Sequence, residues 1–350
     1  MGSSGDVPPD GRAFSLLVAE WEDSRWKTLD HPDSADCTSH ENKPSRDSPV
    51  RYTRGRRQFS FFSEEEVTET LFILLPVHNR REITRRFAGC LMAQTCRNYH
   101  LLLIDDGSTD ATSEMVKGMI PSLTILKGRG DWWWAGSLQK GYEWLKERKV
   151  PLSDCVLIIN DDTEFERDFL EKGLGILHKH ERTLVLAQSY DRRTKEFIDA
   201  GRHVDWRRLQ FNPAMSPEEI NCLSTRGLFL RVSDLMETGG FFPRILPHYL
   251  SDYEFTIRAH KKGLKLFSDP ELKVWLDSET TGYHQLGENS ISGLIKKYFS
   301  KKSTMNPLAW TAFIALACPW PWKLIHLFGL WKNTTYGFIN YFIRSIRTAG

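Results

Sequence analysis

Leu71-Phe72-Ile73-Leu74-Leu75-Pro76 is the stretch that decides the fold. Consecutive apolar residues without polar alternation suit a parallel strand buried on both faces. Just beyond it, Ile83, Phe87 and Leu91 recur every four residues, which predicts a helix over about 81 to 94. A second apolar run, Leu101-Leu102-Leu103-Ile104, ends in Asp105-Asp106-Gly107-Ser108-Thr109-Asp110. The reading continues with a helix over about 111 to 119, for which Thr109 or Asp110 suits the N-cap. Then come a short strand (123 to 126), a helix (136 to 149) and a fourth apolar strand (155 to 159) ending in Asn160-Asp161-Asp162. This alternation of strand and helix is the signature of a doubly wound, mostly parallel α/β sheet with flanking helices. Such sheets bind ligands beyond the carboxyl ends of their strands. Three of those ends carry usable polar groups: residues 76 to 79, 105 to 110 and 160 to 162.

The second half is less regular. It reads as a helix over 165 to 179, strands at 184 to 188 and 225 to 232, and a strand or loop at 201 to 211. A short helix at 233 to 237 and a helix at 252 to 262 ended by Gly263 follow. Two short strands, 264 to 267 and 273 to 276, complete the region. Residues 1 to 68 mix Pro, Ser, Asp and Arg with little periodicity and read as a disordered leader. The organisation expected is therefore a leader (1 to 68), an α/β domain (69 to 290) and a basic, aromatic, mostly helical tail (291 to 350).

The 350 residues carry a formal net charge of only +2, which gives no global argument for nucleic acid. The six cysteines include no CxxC pair, as expected of a reducing compartment. No secretory signal is read at the N-terminus. After Glu288 the charge becomes one-sided: eight Lys and Arg and no acid. The apolar run from 308 to 318 is too short to span a bilayer. Its aromatic and basic neighbours fit an interfacial anchor on the cytoplasmic face of an anionic membrane. A helical subdomain packed on the core, or a contact between copies in a homo-oligomer, is the competing reading.

No GxGxxG follows the first strand, and no GxxxxGK[ST] is present, which sets aside dinucleotide-binding dehydrogenases and P-loop enzymes. The Asp105–Asp110 stretch suits either a capped turn or a carboxylate that accepts hydrogen bonds from a base or ribose. Asp161 and Asp162 on one strand end repel unless a positive group sits between them. A hard divalent cation such as Mg²⁺ or Mn²⁺ takes one or two such carboxylates together with phosphate oxygens.

Taken in order, Pro76-Val77-His78-Asn79, Asp105-Asp106-Gly107-Ser108-Thr109-Asp110 and Asn160-Asp161-Asp162 resemble the signature of family 2 glycosyltransferases, which have the GT-A fold. The resemblance covers about residues 71 to 290. It implies an inverting transfer of a sugar from a nucleoside-diphosphate donor to a hydroxyl of a glycan or lipid-linked glycan. Pro76, Val77, His78, Asn79, Asp105 and Asp106 would hold the nucleoside, and Asp162 would bind the metal with help from His284. Asp252, in Asp252-Tyr253-Glu254-Phe255, would be the general base. Trp134, Gly136 and Asp161 would lie on the donor-sugar side, Trp134 and Gly136 within the Gly130–Gly136 loop. Asn160 in the first position of the acidic motif resembles a rhamnosyltransferase-like branch and points to a dTDP-rhamnose donor. The tryptophans at 132 to 134 suit either stacking on a ligand or anchoring a long loop. A catalytically inactive nucleotide-sugar binder or a membrane-associated scaffold is the competing function.

Overall fold

The computed structural model describes residues 69–276, 293, 295, 298–301 and 303–349. The expected leader and the expected metal-site residue His284 lie outside the described residues.

The apolar runs form the centre of a nine-stranded sheet. Its order is β3 (Leu123–Lys127), β2 (Tyr99–Asp105), β1 (Leu71–Val77), β4 (Cys155–Ile158), β10 (Leu228–Arg231), β6 (Thr183–Asp191), β11 (Lys265–Leu276) and β5 (Thr163–Glu164), with β7 (Phe197–Asp199) paired to β6. The first four strands are mutually parallel, β10 enters antiparallel between β4 and β6, and β11 runs parallel to β6.

The lack of polar alternation in the central strands has a direct cause. Successive side chains point to opposite faces, and both faces are covered. Leu71, Ile73 and Leu75 of β1 join Leu101, Leu103 and Leu157 in one core. Helices α1 (Arg81–Met92), α2 (Thr112–Lys117) and α4 (Phe169–Lys179) close that core with Phe87, Met115 and Phe169. Leu74, Leu102, Ile104, Val156 and Ile158 face the other way. There α3 (Trp133–Glu147), α5 (Val232–Thr238) and α6 (Ser251–Lys261) cover them with Leu138, Leu235 and Phe255. The expected doubly wound α/β architecture is present.

In the second half one open reading is resolved and one expectation is corrected. The uncertain 201 to 211 region is a two-stranded ribbon, β8 (Arg202–Asp205) paired with β9 (Gln210–Pro213). The two short strands near the end of the domain are one strand, β11, whose register shifts between Asp269 and Lys273. Pro270 lies inside that shift, and proline within a sheet is confined to such irregularities because it lacks a donor.

The tail forms α7 (Pro307–Ala317) and α8 (Trp322–Ala349). Phe313 and Ala317 of α7 pack with Phe211 of the ribbon and Ile257 of α6. Ile314 and Cys318 pack with Leu330 of α8. The inner side of the tail is therefore seated on the α/β domain. Among the described residues, no helix is long and apolar enough to cross a membrane.

Candidate active site

Strands β2, β1 and β4 are parallel neighbours, so their carboxyl ends meet at one edge of the sheet. That edge brings together the three polar segments read from the sequence. Pro76 and Val77 are buried within β1, so their side chains belong to the sheet, and it is His78 and Asn79 that emerge. Asn79 has a left-handed φ of 53°, a conformation asparagine tolerates better than most residues. Its amide donates to Ser108 Oγ at 2.9 Å, and the Thr109 amide donates to its Oδ1 at 2.8 Å. The Arg81 amide donates to Asp110 Oδ2 at 3.0 Å, and the Thr112 amide to Asp110 Oδ1 at 3.1 Å. Burial works against the Asp110 charge, but these bonds and that from the Thr112 hydroxyl hold its carboxyl below the usual range.

The two neighbouring aspartates are engaged within the protein. Asp105 accepts from the Ser108 amide at 2.8 Å and from the Ser113 hydroxyl. Asp106 accepts three amides of the following loop: Gly130 at 2.8 Å, Trp132 at 2.9 Å and Trp133 at 3.0 Å. His78 Nδ1 lies 2.6 Å from the Asp106 carbonyl oxygen. Gly128 must be glycine for this loop to close, because a Cβ there would lie 2.5 Å from Asp106 Oδ1 and 2.9 Å from the Trp132 ring. Trp132 and Trp134 pack against the core. Gly136 lies buried in α3, where a Cβ would come within 3.1 Å of the Trp132 side chain. Trp133, with φ 57°, meets His248 edge-on at 6.0 Å between ring centroids. The loop thus joins the segment that leads into α6, a connection reinforced by a 3.0 Å hydrogen bond from the Ala135 amide to Pro247 O.

At the end of β4 the acidic pair has the positive partner its charge requires, and that partner is an arginine. Arg80 Nη1 lies 3.3 Å from Asp161 Oδ1, and its Nη2 lies 3.3 Å from Asp162 Oδ2. Thr84 Oγ1 donates to Asp161 Oδ2 at 2.8 Å. Burial pushes the Asp161 carboxyl up to about 6 against the pull of Arg80. Two oxygens here, Asn160 Oδ1 and Asp162 Oδ1, are buried with no hydrogen-bond partner. Unpartnered buried oxygens are costly in a folded protein, and two together on one strand end are the donor set a hard divalent cation takes. The residues present therefore fit a metal. A second group that could hold one, Glu69, Cys155 and His178, lies at the opposite end of β4 and is separate from this edge.

Asp252 lies in the first turn of α6, and its Oδ1 accepts the amide of Tyr253 at 3.0 Å. Burial pushes its carboxyl up to about 6, with Arg226 opposing and Asp199 adding to the rise. The Arg226–Gly227 turn links Asp252 to the acidic strand end: Arg226 acts electrostatically on Asp252, and the Gly227 amide donates to Ile158 O at 3.0 Å. Helix α6 is fixed by Arg258. Its guanidinium donates to both Glu254 oxygens at 2.8 and 2.9 Å, to Thr238 O at 2.6 Å and to Gly240 O at 2.8 Å. A carboxyl poised near neutrality on a rigid helix suits proton abstraction.

Sequence reasoning missed Arg80 as the counter-ion of the acidic pair. The available signal was its position directly after Asn79 at the end of the first strand.

Similarity to known proteins bears on the fold and the family. Residues 72–235 match the model of glycosyl transferase family 2. A PGL/p-HBAD biosynthesis glycosyltransferase of Mycobacterium bovis is 24% identical over 255 residues, covering 71% of this chain and 90% of that protein. The amylovoran biosynthesis glycosyltransferase AmsB of Erwinia amylovora is 23% identical over 213 residues, 55% of this chain and 64% of its own length. Among solved structures, S. aureus TarS superposes with a TM-score of 0.50 at 14% identity, covering 72% of this chain and 50% of TarS. On the fold and the family match together, residues 72–235 form a family 2 glycosyltransferase domain of GT-A architecture, an enzyme class that draws its sugar from a nucleotide-sugar donor.

Proposed function

We propose that this enzyme transfers a sugar, with inversion, from a UDP- or dTDP-sugar, dTDP-rhamnose foremost, to a hydroxyl of a glycan or lipid-linked glycan. The observation that carries the reading is the pair of buried, unpartnered oxygens, Asn160 Oδ1 and Asp162 Oδ1, on the strand edge that the Arg226–Gly227 turn links to Asp252. In a single displacement the acceptor oxygen bonds to the anomeric carbon as the bond to the diphosphate oxygen breaks. The proton of the acceptor hydroxyl passes to the Asp252 carboxylate, and the diphosphate leaves with the electron pair. Asp162 and Asn160 would hold a divalent cation, joined by His284 as the family resemblance implies. A cation held there would neutralise charge on the leaving diphosphate. Asp161, bound to Thr84 and Arg80, keeps the strand end in place. Asn79, through its bonds to Ser108 and Thr109, sets the shape of the nucleoside side.

The test is donor binding and slow donor hydrolysis across a panel of UDP-, dTDP- and GDP-sugars, with Mn²⁺ or Mg²⁺ and with chelator. Metal-dependent binding of one donor, lost in Asp162→Asn, is the expected result. Binding of no donor, or of one donor equally well in chelator, would sink the proposal.

A further inference from the structure

We infer that the outward face of α8 docks on an anionic lipid bilayer, and that this docking presents membrane-embedded acceptors to Asp252. The inference rests on the proposed transfer only for the word acceptor; the docking stands on its own.

Helix α8 has two opposite faces. Leu330 and Thr334 are buried, and Leu330 packs against Ile314 and Cys318. On the far side Leu324, Ile325, Phe328, Trp331, Tyr336 and Ile339 return at helical spacing, each exposed. Phe328 keeps 74% of its surface in solvent and Leu324 57%, values far from those of core residues. Trp320, in the turn before the helix, is 71% exposed. A contiguous apolar face of this size marks an interaction site.

Charge decides the occupant. After Glu288 the chain has eight of its 47 Lys and Arg residues and none of its 45 acids. That segment therefore carries +8 while the remainder carries −6, summing to the formal +2. A two-fold dimer through α8 would bring two such segments together, like charge against like. An anionic leaflet offers the opposite charge and an apolar interior, and tryptophan and tyrosine favour its interface. No described helix is long and apolar enough to span, so the helix lies on the surface.

The face is coupled to the site. Phe313 of α7 lies 5.8 Å from Phe211, which stacks on Tyr253 at 5.1 Å between centroids. Tyr253 adjoins Asp252. Lys261 of α6 also donates to the carbonyl of Ala317, at the end of α7.

Flotation of the full chain with phosphatidylcholine vesicles, with and without about a third phosphatidylglycerol, at roughly 0.1 and 0.5 M salt, tests the inference. Binding to the anionic vesicles should be weakened by salt, and should fall roughly tenfold or more in a Leu324→Glu, Phe328→Glu double variant. Both side chains are exposed, so the variant should keep the wild-type circular dichroism and donor affinity. Transfer to an acceptor embedded in vesicles should fall in that variant, while transfer to a soluble acceptor analogue is unchanged. Wild-type protein that stays with the free fraction, or a double variant that floats as well as wild type, overturns the docking. So does a concentration-dependent dimer, lost in the double variant, in protein that binds no vesicles. Vesicle binding without donor binding would instead sink the proposed transfer and leave the docking intact.

Discussion

Replacing Asp252 with asparagine should make the protein more stable and inactive at once. Burial raises the Asp252 carboxyl from an ordinary 3.8 to about 6, so folding at neutral pH confines a charge the unfolded chain would solvate freely. The difference of about 2 units corresponds to about 3 kcal/mol, a ceiling because the side chain keeps a partly exposed edge. The sign follows from the raised value. Below pH 3.8 the carboxyl is neutral in both states and carries no penalty; the stability is lost as pH rises through about 6. Asp252→Asn removes the charge but can still accept the Tyr253 amide. Its melting temperature should exceed wild type by on the order of 5 °C at pH 8, and the two should coincide near pH 3.5. Transfer should drop by about 10² to 10⁴ as the base is lost, and the wild-type rate should fall as pH drops below about 6. Thermal melts by circular dichroism at the two pH values, paired with product formation, check both halves. A variant no more stable than wild type at pH 8 would refute the burial argument, and one that still transfers sugar would refute the assignment of the base.

Other outcomes follow from the same structure. Arg80→Ala should cost the chelated protein about 1–2 kcal/mol, because two buried carboxylates lose their counter-ion. Mn²⁺ should then raise its melting temperature more than it raises that of wild type; equal shifts would contradict the role given to Arg80. Gly128→Ala should weaken the loop by about 1–3 kcal/mol through the 2.5 Å approach to Asp106, and calorimetry should show weaker donor binding. Arg258→Ala strands the buried Glu254 and should cost about 3–5 kcal/mol in denaturant titration; lysine should restore little of it, because one ammonium cannot replace the four contacts of the fork.

The central sheet was legible in the sequence because burial on both faces removes polar alternation from Leu71–Val77, Tyr99–Asp105 and Cys155–Ile158 alike. The strand ends were legible for the same reason, since each apolar run stops where polar residues emerge. The place of β10 was not, because an antiparallel strand inserted between β4 and β6 is set by tertiary packing and leaves no local mark. Asp105 and Asp106 show the limit at the site. Their position suited either a capped turn or ligand contacts; the structure engages their oxygens with Ser108, Ser113 and the amides of Gly130, Trp132 and Trp133, partners no spacing rule could name. The part of Arg258 as a clamp between α6 and the 238–240 turn likewise needed the structure.

The grip of Asp106 on the tryptophan loop has a further consequence for phosphate. The amino end of a helix carries partial positive charge, and many nucleotide enzymes aim that end at the phosphates of their ligand. Here α3 begins at Trp133, and the amides of Trp132 and Trp133 at its start both point to the Asp106 carboxylate. The dipole of α3 is satisfied by the protein's own anion. On the proposed reading, a donor diphosphate arriving at this edge would meet a helix end already neutralised, and its charge would need a cation instead.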